Sequence, residues 1–105
     1  MPIQEGPLSP DSFAFNGNVY RVGMPLVWRL LDHLWRSPNR SASVDSLALA
    51  VWQNQDHDVS YLAVASLRRN SNRFFRKYDI PLQMRLKDEK VALHDIRTSE
   101  GFSHV

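Results

Sequence analysis

The chain of 105 residues has no cysteine, only four glycines and no apolar run near the length of a membrane span. Without cysteine, disulfide frameworks, thiolate metal sites and cysteine nucleophiles are excluded. No Gly-rich phosphate loop, G-x-S-x-G, H-E-x-x-H or paired-acid constellation is present, so no enzyme is expected. Asp56-His57-Asp58 offers two carboxylates and one imidazole, while His33, His94 and His104 stand at no ligand spacing. Neither metal nor other cofactor is expected. The start, Met1-Pro2-Ile3-Gln4-Glu5-Gly6-Pro7, lacks the cationic and apolar parts of a signal peptide. A cytoplasmic protein without a membrane partner is the expectation.

What the chain does hold is an ordinary globular composition, 43% hydrophobic and 23% charged, enough for one domain. Pro2, Pro7 and Pro10 with Gly6 suggest a flexible leader over 1–12, and residues 95–105 read as a flexible tail. Between them, 13–94 forms the domain. Phe13-Ala14-Phe15 and Val19-Tyr20-Arg21-Val22 flank Asn16-Gly17-Asn18, residues that tolerate positive φ, and predict a β-hairpin. A helix follows, with Pro25 in its first turn, where a missing N–H costs nothing. At about 100° per residue its apolar arc runs through Leu26, Val27, Trp28, Leu30, Leu31, Leu34 and Trp35. Pro38 ends it.

Ser43 is a good N-cap for a second helix with Val44, Leu47, Ala48, Val51 and Trp52 inward. A third helix runs from about Asp58 to Tyr78. It buries Ala63, Val64, Leu67, Phe74, Phe75 and Tyr78, with small Ser71 between them. Leu82, Met84 and Leu86 then alternate with Gln83, Arg85 and Lys87, and after Lys87-Asp88-Glu89-Lys90 the chain returns through Val91 and Leu93 as a second hairpin. The order, hairpin, three helices, hairpin, predicts an α+β winged helix-turn-helix, the terminal hairpin being the wing.

Several of these residues fall into a family pattern. Trp28, Leu30-Leu31, Pro38, Ser43, Leu47 and Val51-Trp52, then Leu62, Val64 and Leu67-Arg68, resemble the winged-helix effector domain of OmpR/PhoB-type response regulators. The resemblance spans roughly 13–94 and implies a DNA-binding fold, with the third helix as recognition helix. The wing lacks the family's Gly-x-Gly-Tyr, and the segment before helix 1 has room for two strands against the family's four. Recognition-helix positions at Ala63, Ala65 and Ser66 carry short side chains.

Charge points the same way. Residues 1–58 carry four basic and six acidic side chains, residues 59–105 nine basic and five acidic, and Val59–Tyr78 contains five cations and no acid. Such an asymmetry suits a polyanion. Candidate contacts to double-stranded DNA are Tyr61, Ala65, Arg68, Arg69, Asn72, Arg73 and Arg76 on the outer face of helix 3. Arg85, Lys87 and Lys90 on the wing flank join them. Asp88 and Glu89 at the wing tip would repel a minor groove. The rival expectation is a protein-interaction module. Trp28 and Trp35, seven residues apart, are read mainly as core, and alternatively as the surface of a homodimer or partner.

Overall fold

A computed structural model describes residues 5–52 and 61–96. It is α+β, with three helices and two small antiparallel sheets. The first sheet has the order β1-β2-β3, from β1 (Gly6–Leu8), β2 (Ser12–Phe15) and β3 (Asn18–Arg21). The helices are α1 (Pro25–Arg36), α2 (Val44–Trp52) and α3 (Tyr61–Lys77). The second sheet has the order β4-β6-β5, from β4 (Ser41–Ser43), β5 (Leu82–Lys87) and β6 (Lys90–Asp95).

Local chemistry accounts for most boundaries. Asn16 and Gly17 take φ of 52° and 80°, the two left-handed residues of a tight hairpin turn joining β2 to β3. Pro25 stands at the start of α1, and a 3-10 turn over Pro38–Arg40 follows the helix. Ser43 caps α2, its hydroxyl accepting the Ser46 N–H at 3.1 Å. At the other end of α2, Arg29 of α1 donates to the Val51 carbonyl at 3.2 Å. Asp79 takes φ of 54° just past α3; its N–H reaches the Arg76 carbonyl and that of Ile80 the Phe75 carbonyl. This pair of bonds closes the helix, with Ile80 packed into the core beside Phe75.

The core joins one face of each sheet to the helices. Leu30, Leu31, Leu34, Leu47, Val51, Val64, Phe75, Met84 and Val91 are buried. Phe13 is an aromatic hub: Trp35, Phe74 and Phe75 meet it edge-on, with centroids 5.5, 6.2 and 6.1 Å away. Edge-on pairs of this kind contribute about 1 kcal/mol each beyond the area they bury. Ser71, wholly buried among these side chains, returns its hydroxyl to the Leu67 carbonyl at 2.8 Å.

Three sequence expectations are corrected here. The leader is not loose over its whole length, because Gly6, Pro7 and Leu8 pair with Ala14, Phe13 and Ser12. The N-terminal hairpin is therefore a sheet of three strands. β1 lies at its edge, where the missing N–H of Pro7 is tolerated. Tertiary contacts hold it: the Trp28 indole N–H donates to the carbonyls of Leu8 and Ser12, and Trp35 lies over Gly6. Asp11 completes the anchorage, its carboxylate accepting the Gly23 N–H at 3.1 Å and pairing with Arg21 at 3.4 Å. The second correction is β4, whose Ser-Ala-Ser is too short and too weakly patterned to announce a strand, yet pairs with β6. The third is the tail, since Asp95 still belongs to β6 and Ile96 donates to the Pro81 carbonyl at 3.0 Å. The rest of the tail, 97–105, lies outside the described residues, as do residues 1–4 and the expected helix start at Asp58.

Asn72 ties α3 to the second sheet. Its amide nitrogen donates to the Met84 carbonyl at 3.0 Å and its oxygen accepts the Met84 N–H at 2.7 Å. Met84 lies opposite Leu93 with both of its backbone groups turned away from β6, so Asn72 covers the open edge of β5 at its centre. Asn72→Ala should lower unfolding stability by about 2 kcal/mol, two bonds lost and two backbone groups left poorly paired. A urea midpoint unchanged from the parent would contradict that seam.

Candidate nucleic-acid interface

α3 sorts its side chains by helical angle. Val64, Leu67, Ser71, Phe74 and Phe75 turn inward, while Leu62, Ser66, Arg69, Arg73 and Arg76 are exposed on the opposite side. Arg68 and Ala65 are half-buried at its margin. Arg69, Arg73 and Arg76 thus stand on successive turns of one face. Asn72, expected among them, is placed differently: both ends of its amide are bound to Met84. Tyr61 opens α3, but its side chain lies outside the described residues, as does Asp56-His57-Asp58.

The electrostatics follow from what is missing around these groups. Two salt bridges occur among the described residues, Arg21–Asp11 and Arg36–Asp32, and neither involves α3 or the second sheet. The guanidinium groups of Arg68, Arg69, Arg73 and Arg76 therefore have no carboxylate partner among the described residues. The hairpin repeats the pattern. Arg85, Lys87 and Lys90 are exposed, and Arg85 is steered by the Gln83 side-chain oxygen at 3.1 Å, a neutral acceptor, with no carboxylate partner among the described residues.

The seam at Asn72 and Met84 joins the two elements that carry these groups. Arg73 follows Asn72 on α3 and Arg85 follows Met84 on β5. At the tip, Asp88 and Glu89 take φ of 53° and 59°, a two-residue turn made without glycine. The Glu89 carbonyl accepts the Val44 N–H at 2.9 Å, which ties the tip to the start of α2.

On the other flank of α3 the sequence reading missed a cleft of about 190 Å³. Arg21 of β3, Met24, and Asn70, Arg73, Phe74 and Lys77 of α3 line it. Tyr20 and Tyr78 stack at 4.7 Å beside it, and the Lys77 ammonium lies 5.2 Å from the Tyr78 ring. Arg21 is the outward residue of an alternating strand, the signal that could have placed it there. His94, which stands at no ligand spacing, alternates outward from the buried Val91 and Leu93.

Trp28 and Trp35 are used inside the fold. Trp28 bonds to the backbone on either side of the β1–β2 turn, while Trp35 packs on Phe13 and carries the Arg40 guanidinium 3.8 Å from its ring centroid. Arg40 also donates to the Trp35 carbonyl. Among the described residues no group of three or more His, Asp and Glu is placed to hold a metal, and no helix is long and apolar enough to cross a membrane. Comparison with protein-family models, curated proteins and solved structures gives no match for this chain.

Proposed function

We propose that this chain is a winged helix-turn-helix protein that binds double-stranded DNA, in the style of the OmpR/PhoB effector domains its sequence resembles, and acts in transcriptional regulation. The observation that carries the reading is the exposed row of Arg69, Arg73 and Arg76 on α3, without carboxylate partners among the described residues. α3 then lies against the major groove, as the second helix of such motifs does. Ala65 and Ser66 have little reach, so the arginines bind mostly backbone phosphates, with Arg68 at the margin of the same face. Arg85, Lys87 and Lys90 of β5–β6, the wing, hold the flanking backbone. The carboxylates of Asp88 and Glu89 keep the wing tip out of the minor groove. A role on DNA in a bacterial-type cell places the protein in the cytoplasm.

Neutralising a phosphate releases its condensed counterions, so affinity falls with salt in proportion to the number of contacts. Titration of a random-sequence duplex should give a slope of log affinity against log salt of roughly −4, for four or five phosphates engaged. A flat response overturns the reading. One observation favours a second reading, a protein-interaction module on the same scaffold: Leu49 and Leu62 are 67% and 75% exposed. That reading predicts association that grows with protein concentration in sedimentation, and no salt-dependent retention of duplex.

A further inference from the structure

The outer face of the second sheet gathers Arg85, Lys87 and Lys90, the cations proposed above to hold flanking DNA, around Ala92 and His94. The pairing register lays this face out as a grid. Ser41, Ala92 and Arg85 form one row across β4, β6 and β5; Ser43, Lys90 and Lys87 form the next. His94 and Gln83 stand opposite each other beyond Ala92 and Arg85. Strand alternation sends all of these away from the buried Val91, Leu93 and Met84.

One feature of the grid is costly for the fold alone. Lys87 and Lys90 are directly opposed, an arrangement of like charges that destabilises a strand pair. Arg85 adds a further positive charge to the same face. The centre of the grid is also its smallest side chain, Ala92, in the middle strand. Long basic side chains around one methyl leave a shallow depression of about 450 Å³, lined by Arg85, Lys87, Asp88, Lys90, Ala92 and His94, with Asp88 the one acid in its lining among the described residues. The depression suits a compact tetrahedral anion approached by several cations, with the Ser41 hydroxyl in the same row as Ala92.

We infer that the outer face of β4-β6-β5 binds the phosphate chain of a small phosphorylated compound, seated over Ala92. This site shares Arg85, Lys87 and Lys90 with the proposed wing contact but includes none of the α3 arginines. Because duplex phosphates share the same chemistry, the experiment keeps the two sources apart. Inorganic tripolyphosphate is titrated into the full chain at about 0.1 M salt, where exposed charges more than about 8–10 Å apart are screened. Backbone amide shifts are read by NMR at each residue, and the duplex is titrated in parallel.

Saturable shifts should gather at Ser41, Arg85, Lys90, Ala92 and His94. Ala92→Glu should weaken tripolyphosphate by about tenfold or more, since it fills the depression and sets a carboxylate among the cations. The same substitution relieves like-charge crowding, so its melting temperature should equal or exceed the parent's; loss of binding is then not loss of fold. Ala92→Ser, which keeps the depression open, should bind within about threefold of the parent. Shifts confined to α3, no shifts at all, or equal binding by Ala92→Glu would each overturn the inference, while duplex binding in those cases leaves the DNA reading intact. Sheet shifts without any duplex binding sustain the inference and remove the DNA reading.

Discussion

Gly6→Ala should destabilise the fold by about 3 kcal/mol, the joint cost of backbone strain and overpacking. Gly6 has φ of +126°, a conformation that side-chain-bearing residues rarely adopt. A β-carbon built there would also stand 2.4 Å from Nε1 of Trp35. Trp35 cannot simply step aside, because Phe13 abuts it edge-on and Arg40 lies over its ring. The strand must lift instead, exposing the backbone bonds that Trp28 makes with Leu8 and Ser12. Urea unfolding followed by tryptophan fluorescence would show the midpoint fall with little change in slope, since the area exposed on unfolding is almost the same. A shift below about 0.5 kcal/mol, the usual range for a surface change, would mean that β1 does not rest on Trp35.

The double substitution Arg69→Ala with Arg73→Ala should reduce affinity for generic duplex roughly 50-fold or more near 0.1 M salt, and flatten the salt slope by about two. Both side chains are exposed and form no ion pair among the described residues, so stability should hardly move. Arg36→Ala is the useful control. Arg36 is exposed too, but it sits on α1, paired with Asp32 at 3.2 Å, on an element outside the proposed interface. Equal losses from Arg36→Ala and from the double variant would reduce the effect to net charge alone. An unchanged affinity in the double variant would remove α3 as the contact surface.

The parts of this fold legible in the sequence are those set by near neighbours. Pro25, the Asn16-Gly17 turn, the Ser43 cap and the apolar periodicity of α1 and α3 each act within a few residues, and each element stands where that chemistry puts it. What was illegible depends on distant partners. Pro7 and Gly6 argue locally against a strand, and only Trp28, Trp35 and β2 make one of them. Asn72 has the same hydrophilic look as its arginine neighbours. Its place at the boundary of the α3 arc, facing an uncovered strand edge, diverts it from solvent to Met84. Arg69, Arg73 and Arg76 were readable because an outward position needs no partner to define it.

Every strand that ends a sheet offers its spare backbone groups to whatever chain passes. β5 is such a strand, and the site where a neighbouring molecule would first gain a pair of bonds is already occupied by a side chain from α3. A stopper at mid-strand guards against runaway stacking of one copy on another, the hazard that a crowded cell poses to any small protein with an open β-ribbon. The same amide that fixes the helix thereby helps keep the molecules apart.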